Sequence, residues 1–113
     1  MAEILSLDQL RTERARLRRA GRRVVFTNGC FDLLHVGHVR YLEAAANEAD
    51  LLIVAINDDE SVRRLKGEGR PVLSAEDRAE LVAALRWVDY VVVFAEPTVG
   101  PLLDAIRPDV HCK

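Results

Sequence analysis

The sequence predicts an α/β protein with three layers, α/β/α, built around a parallel sheet. Apolar runs of strand length recur at 23–27, 51–56 and 90–94, and stretches with helical spacing of apolar residues lie between them. The run LLIVAI at 51–56 is apolar throughout, which is typical of a parallel strand buried on both faces. Strands that alternate with helices favour right-handed crossovers and helices on both faces of the sheet.

The chain length predicts a single domain over 1–113, because 113 residues lie near the lower end of the size range of α/β domains. The first predicted element is a helix within residues 1–22. Ser6 is its candidate N-cap, Gln9 completes a capping box, and Gly21 suits the position just after the helix.

Further helices are predicted, in chain order, at 36–49, 58–65, 75–88 and 98–108. Ser74 is the candidate N-cap of the third of these, and Pro108 closes the last. Glycines and a proline predict a loop at 66–72. Residues 109–113 begin a fourth strand.

The overall charge does not indicate a nucleic-acid or membrane partner, because the formal net charge is −2 and no apolar stretch approaches about 20 residues. The segment 11–23 differs, with many arginines and a single acid. It is interpreted as the solvated face of a helix, or as a surface for a partner or for phosphorylated ligands. Cys30 and Cys112 match no zinc or CxxC spacing, which indicates free thiols in the reducing cytoplasm.

The stretch FTNGCFDLLHVGHVRYLEAA, at 26–45, carries the strongest functional signal. His35 and His38 lie three residues apart, on one face of a predicted helix start, with Gly37 between them and Gly29 before them. Backbone N–H groups and the positive end of the helix dipole point the same way, so the stretch predicts an anion site suited to phosphate. A zinc site is disfavoured, because no third ligand is evident, and no metal-ligating residues are predicted.

The segment GCFDLLHVGHVRYLEAA resembles the His-x-Gly-His signature of the cytidylyltransferase-like nucleotidyltransferases. The segment NDDESVRRLKGEGRPV and the residues after it resemble the heptose 1-phosphate adenylyltransferases in particular, and the resemblance covers 23–113. It implies a Rossmann-like fold and transfer of AMP from ATP to heptose 1-phosphate, with release of pyrophosphate and formation of ADP-heptose, a lipopolysaccharide precursor. It also implies Mg²⁺ with the ATP, a sugar kinase that is fused or separate, and a possible homodimer.

The resemblance further implies roles for individual residues. His35, His38 and Lys66 would be catalytic. The residues expected at the nucleotide and its phosphates are Thr27, Asn28, Gly29, Cys30, Phe31, Gly37, Arg70 and Arg78. Weaker candidates for the sugar phosphate are Asp32, Asn57, Asp58 and Lys113.

Several of these roles have alternatives that the residues leave open. Lys66 and Arg70 either close over bound phosphates or belong to a solvated loop. Arg78 either touches the triphosphate or braces the site, and Asp32 either contacts substrate or holds a loop. Asn57 and Asp58 either contact substrate hydroxyls or cap a helix.

Members of the family that this sequence resembles continue beyond their fourth strand with a Lys-Gly-Gly-Asp-Tyr segment and a later Ser-Thr-Thr motif. Lys113 matches the first residue of the Lys-Gly-Gly-Asp-Tyr segment. The carboxyl-terminal part of the domain is therefore expected to be absent, with weak nucleotide binding by this chain alone. Two alternative functions stay open. One is a cytidylyltransferase for a polyol phosphate such as glycerol 3-phosphate, and the other is a nucleotide-binding fragment without turnover.

Overall fold

The computed structural model describes residues 1–95 and 98–112, which fold around one parallel sheet. Its strands are β1 (Glu3–Ile4), β2 (Val24–Gly29), β3 (Leu51–Asn57), β4 (Tyr90–Phe94) and β5 (Val110–His111). The helices are α1 (Leu7–Arg19), α2 (Val36–Ala46), α3 (Asp59–Lys66), α4 (Ala75–Ala83) and α5 (Gly100–Ile106). The predicted alternation of strands and helices is confirmed.

The side chains of the sheet alternate between two apolar cores, one on each face. On one face Val25, Val54 and Val91 pack with residues of α2 and α4. On the other face strand residues such as Phe26 and Ile53 pack with residues of α1 and α5. This arrangement confirms the three-layer, Rossmann-like α/β/α prediction, and it explains why β3 reads as a continuous apolar run.

The strand order is β1-β4-β3-β2-β5, and every pairing is parallel. The chain runs from β2 through β3 to β4 in one direction and then returns to place β5 on the other side of β2. The order therefore reverses at β2, and ligands of such sheets bind at the carboxyl ends of the strands near this reversal. The stretch with the two histidines follows β2 directly, so the fold places it at that position.

The local signals for α1 and α4 are confirmed. The Ser6 hydroxyl accepts the Gln9 N–H at 3.2 Å, and the Gln9 side chain accepts the Ser6 N–H at 2.9 Å. Gly21 has a φ of 74°, which suits a glycine that follows a helix. The Ser74 hydroxyl caps α4 by accepting the Asp77 N–H at 3.2 Å.

The expectations about the number of strands and about some helix ends are wrong. A short first strand, β1, pairs with β4 through Glu3 and Ile4, although only four strands were predicted. Two residues carry too little periodicity to predict a strand, and only the exposed edge of β4 pairs with them. Helix α4 ends at Ala83 and not at Val88, because turns and bends at 84–87 precede β4. Helix α2 likewise ends at Ala46 and not at position 49, because turns and bends at 47–50 precede β3.

No helix in residues 1–95 or 98–112 combines the length and the apolar character that a membrane crossing requires.

Candidate functional site

The two histidines form a reciprocal hydrogen-bonded cap at the start of α2. His35 is the N-cap residue, and its Nδ1 accepts the Gly37 N–H at 3.0 Å. His38 reaches back, and its Nδ1 accepts the His35 N–H at 3.2 Å. A capping box normally uses a serine or threonine with a glutamate, so here two imidazoles perform the work of a hydroxyl and a carboxylate.

This cap sets the protonation of both rings. A backbone N–H is always a donor, so the Nδ1 atoms that receive one carry no proton. In the neutral imidazole the proton then lies on Nε2, and each histidine presents an Nε2–H donor away from the helix. The ring centroids of His35 and His38 are 4.0 Å apart, which holds the two donors side by side.

The surroundings of His38 keep it neutral. Burial lowers its pKa below the ordinary histidine value, and the neighbouring His35 and the Lys66 ammonium act in the same direction. Its ring also packs against Phe31, with centroids 5.4 Å apart. His38 is therefore a hydrogen-bond donor at neutral pH without being a cation.

Two glycines make room for aromatic rings at this junction. A Cβ on Gly37 would lie 2.7 Å from Cε1 of His35, so any other residue there would displace the imidazole. A Cβ on Gly29 would lie 2.9 Å from Cε2 of Phe31. Gly29 was predicted to let a ligand approach the backbone closely. In the structure it lets the ring of Phe31 lie close to the backbone, and Phe31 has a φ of 49°.

A cavity of about 310 Å³ opens in front of the histidines. It is lined by Cys30, Phe31, Asp32, Leu33, His35, His38, Lys66 and Arg70. Lys66 ends α3, and Arg70 comes from the loop predicted at 66–72, so the structure brings both cations to the two histidines. The lining carries imidazole, ammonium and guanidinium donors, which is the chemistry of a polyanion site.

Asp32 lines the cavity, but its carboxylate is occupied by groups of the loop. The carboxylate is buried and accepts the N–H groups of Val72 (2.9 Å) and Leu73 (3.0 Å) together with Arg70 Nε. Burial alone would raise its pKa, but the backbone donors of Leu73 and Val72 and the Arg70 guanidinium outweigh burial and lower the pKa to about 2. Of the two predicted roles for Asp32, the structure favours the one that holds a loop.

Arg78 braces the site from inside. It is fully buried, and its guanidinium donates to the carbonyl oxygens of Cys30 (2.7 Å), Asn57 (2.8 Å) and Leu73 (3.0 Å). It also pairs with Asp59 at 2.8 Å. This one side chain joins the ends of β2 and β3, the start of α3 and the loop before α4, so burial removes it from the cavity surface and favours the predicted bracing role over a phosphate contact.

Other candidates have partners within the protein. The Asp58 carboxylate accepts the Ser61 N–H at 2.8 Å and caps α3, which is the cap alternative. The Thr27 hydroxyl is buried and lies 2.7 Å from the hydroxyl of Tyr41 on α2. Asn57 is buried, and its Oδ1 lies 3.8 Å from the Cys30 Sγ. None of these three side chains lines the cavity.

Asn28 lies at the reversal of the strand order, where its Oδ1 is 3.1 Å from Nε2 of His111 on β5. Sequence reasoning missed His111, because only the pairing of β2 with β5 brings it there. Asp59 was missed for a similar reason, since it acts through Arg78. Lys113, the remaining candidate, lies outside the described residues.

Among the described residues, no three histidine, cysteine, aspartate or glutamate side chains form a group that could hold a metal ion. Asp32 is the carboxylate that lines the cavity, and the loop N–H groups and Arg70 already occupy it. The protein residues described at this site therefore do not fit a dedicated Mg²⁺ site.

Comparison with known proteins agrees with this geometry. Residues 26–112 match the cytidylyltransferase-like family model. The bifunctional protein HldE of Geobacter sulfurreducens is 53% identical over 112 residues, which are 99% of this chain and 23% of that protein. HldE of Syntrophotalea carbinolica is 57% identical over 96 residues, which are 85% of this chain and 20% of that protein.

The chain thus spans about a fifth to a quarter of the length of these curated relatives. Among solved structures, the lipopolysaccharide core biosynthesis protein of Thermoplasma volcanium superposes with a TM-score of 0.74 and 27% identity, over 80% of this chain and 73% of that one. The family match covers the β2–α2 junction with both histidines, the residues that line the cavity in front of them, and strand β5 on the other side of β2. The chain belongs to the cytidylyltransferase-like family and is a nucleotidyltransferase domain.

Proposed function

We propose that this domain transfers AMP from ATP to heptose 1-phosphate and releases pyrophosphate. The observation that carries the proposal is the pair of Nε2–H donors, which the capping box of α2 holds in front of a cavity lined by Lys66 and Arg70. The geometry suits a reaction in which negative charge accumulates on phosphoryl oxygens.

In the proposed reaction an oxygen of the sugar phosphate attacks the α-phosphorus of ATP. A new phosphorus–oxygen bond forms, the bond to the bridging oxygen of the β-phosphate breaks, and pyrophosphate leaves with that electron pair. The attacking phosphate oxygen is already ionised near neutral pH, so no general base is required. The domain contributes by positioning two polyanions and by stabilising the charge of the transition state.

His35 and His38 would donate their Nε2–H groups to the oxygens of the α-phosphate or of the departing pyrophosphate. The cap of α2 sets the direction of both donors before substrate arrives, so little reorganisation accompanies the reaction. The positive end of the α2 dipole acts in the same direction.

Lys66 and Arg70, which line the same cavity, would neutralise the β- and γ-phosphates. Arg70 already pairs with Asp32, so the loop that carries it is held near the histidines. The ATP would bring Mg²⁺ on its own phosphate oxygens, in keeping with the poor fit of the cavity residues to a resident ion.

The choice of ATP and heptose 1-phosphate rests on the resemblance over 57–72 and on the identity to the HldE proteins. The sugar kinase that supplies heptose 1-phosphate, fused or separate, the cytoplasmic location and a homodimer belong to the same proposal. Within the enzyme class the competing function is a cytidylyltransferase acting on glycerol 3-phosphate.

Pyrophosphate release distinguishes these functions. The chain would be given ATP or CTP with heptose 1-phosphate or glycerol 3-phosphate. We expect turnover above background with ATP and heptose 1-phosphate alone. Preferred use of CTP with glycerol 3-phosphate would overturn the substrate assignment, and ATP binding without turnover would favour the nucleotide-binding alternative.

A variant of His38 then tests the site itself. His38→Ala should lower the turnover by two orders of magnitude or more, comparable with the loss of about 3–4 kcal/mol for an oxyanion-hole donor. Arg64→Ala, which changes an exposed residue of α3, is the matched control and should leave turnover within about twofold. A His38→Ala protein with near-normal turnover would remove the catalytic assignment.

A further inference from the structure

A second cavity, of about 360 Å³, lies at the opposite end of the sheet from the histidines. It is lined by Arg14 and Arg18 of α1 and by Arg107, Pro108 and Asp109. Asp109 shows where this cavity lies along the sheet. Its carboxylate accepts the N–H of Val24, at the amino end of β2, at 2.7 Å. The histidines follow the carboxyl end of the same strand, and six strand residues span about 20 Å. The two cavities are therefore separate sites.

The arginine at the centre of this cavity is almost completely buried. Arg14 is 4% exposed, and its Nε donates to the carbonyl oxygen of Ile106 at 3.1 Å. Its Nη2 donates to the carbonyl oxygen of Arg107 at 3.0 Å and approaches the Asp109 carboxylate at 3.3 Å. These contacts cap the carboxyl end of α5, but they use only one side of the guanidinium.

The Nη1 atom of Arg14 is buried and has no hydrogen-bond partner among the described residues. Buried polar groups of proteins are nearly always hydrogen-bonded, and an unpaired N–H of a charged group is costly. A role limited to capping α5 leaves this donor unexplained. Arg14 lines the cavity, which makes a ligand bound there the candidate partner for its guanidinium.

The charge of the cavity selects the kind of acceptor. Three arginines and one aspartate line it, and the aspartate already accepts the Val24 N–H and pairs with Arg14. Burial lowers the pKa of Arg14, and the neighbouring charge of Arg18 lowers it further. Arg18 Nη2 also converges on the carbonyl oxygen of Arg107, at 3.3 Å. A negatively charged ligand would relieve this crowding of cations.

We propose that the cavity formed by Arg14, Arg18 and Arg107 binds a phosphate-type oxyanion, at a site separate from the histidine cavity. Guanidinium groups bind phosphate oxygens through paired N–H donors, and a phosphate offers several acceptors to a donor such as Nη1 of Arg14. The volume suits a small phosphate or diphosphate group, either as the inorganic ion or as part of a phosphate ester. For the arginine-rich segment 11–23, this favours the phosphorylated-ligand interpretation at Arg14 and Arg18.

The test titrates inorganic phosphate, pyrophosphate and AMP into the chain that carries the His35→Ala and His38→Ala substitutions, so that the histidine cavity contributes little. Amide shifts in the nuclear magnetic resonance spectrum of the ¹⁵N-labelled chain report the position of binding. We expect saturable shifts at Val24 and at Arg107 and Asp109. Similar affinities for phosphate and AMP would identify the phosphate group as the ligand, and tighter binding of pyrophosphate would identify a diphosphate site.

The double variant Arg18→Gln with Arg107→Gln should weaken binding at least tenfold, and both residues are exposed, so the fold should survive. The matched control, Arg11→Gln with Arg19→Gln, removes the same charge from exposed positions of α1 outside the cavity and should change affinity less than twofold. Equal weakening in both double variants, or shifts that do not include residues 107–109, would overturn the proposal. Shifts that scale with ionic strength alone and do not saturate would overturn it as well.

Discussion

At the scale of single residues, the two histidines have a structural task in addition to the proposed chemical one. Each Nδ1 holds a backbone N–H of the first turn of α2, and each Nε2–H remains for a ligand. The same hydrogen bonds that stabilise the helix start therefore set the direction of the donors. A simple alanine substitution removes both contributions at once.

Serine at position 35 separates the two contributions, because a serine hydroxyl is a good N-cap but cannot replace the Nε2–H donor. We expect His35→Ala to cost about 1 kcal/mol of unfolding free energy. His35→Ser should stay within about 0.5 kcal/mol of the original protein. Both variants should lose at least a hundredfold in turnover. Urea denaturation and pyrophosphate release measure the two effects, and substantial turnover in His35→Ser would contradict the donor role.

Gly37 offers a test in which activity falls without loss of the fold. Alanine normally favours a helix over glycine by about 0.5–1 kcal/mol, but a Cβ at Gly37 would collide with the His35 ring at 2.7 Å. Gly37→Ala should therefore keep its thermal midpoint within a few degrees and lose at least tenfold in turnover. Gly100→Ala is the control, since its Cβ would meet nothing closer than Thr98 Oγ1 at 3.6 Å. Unchanged turnover in Gly37→Ala would show that the position of the imidazole is unimportant.

At the scale of elements, a small number of hydrogen bonds connects the four segments that form the site. Arg78 joins the ends of β2 and β3 to α3 and to the loop before α4, and Asp32 joins the β2–α2 junction to the loop at 70–73. Neither link involves neighbouring residues in the chain. The proposed catalytic surface thus depends on buried charged groups that are hydrogen-bonded within the protein.

The Asp32 link predicts how the loop responds to substitution. Asp32→Asn removes the charge that holds Arg70. It also weakens the hydrogen bonds that the side chain accepts from the N–H groups of Val72 and Leu73, so the loop should detach. We expect faster trypsin cleavage after Lys66, and protection by ATP with Mg²⁺ should become weaker. Asp104→Asn, an exposed change on α5, is the control. Cleavage rates that match the unsubstituted protein would show that Asp32 does not hold the loop.

At the scale of the whole molecule, several ionised groups tie α1 and the loops to the sheet. The hydrogen bond from Arg16 and, to a smaller extent, the one from Tyr90 (2.6 Å) lower the pKa of Glu13 to about 2. The pKa of Asp32 is also lowered to about 2. The Val24 N–H is the main group that lowers the pKa of Asp109. Helix α1, the loop at 70–73 and strand β5 are each held by one of these carboxylates.

These pKa values predict the acid stability of the domain. A carboxylate whose folded pKa is lowered stabilises the fold above its unfolded pKa, and this contribution is lost as pH falls towards the folded pKa. The thermal midpoint should therefore fall steadily between pH 4.5 and pH 2. The lowered pKa of His38 begins a smaller loss below pH 6.5, because the unfolded state takes up that proton first.

Thermal unfolding at pH values from 7 to 2 measures this dependence, and Glu13→Gln serves as the comparison. In that variant the fall below pH 4.5 should be shallower, because one of the coupled carboxylates is gone. A Glu13→Gln profile that parallels the original, shifted by a constant amount, would contradict the assigned pKa of Glu13.

Much of this protein could be predicted before its structure, because the informative signals are local. The two-sided burial of 51–56, the cap residues Ser6 and Ser74 and the alternation of strands with helices all act within a few residues of the chain, so the three-layer parallel architecture was within reach. The histidine pair and Gly37 were found for the same reason, since all three lie within one helical turn.

The tertiary structure decided the roles that depend on contacts between distant segments. Arg78 and Asp32 could each have faced a ligand or the protein, and only packing across 21 to 48 residues of sequence assigns Arg78 to the backbone oxygens of Asn57 and Cys30. The pairing of β1 with β4, the meeting of Asn28 with His111 and the unpartnered Nη1 of Arg14 have no local signature either. Periodicity and capping report neighbours in the chain, whereas these interactions arise from strand order, which brings together side chains that the sequence keeps far apart.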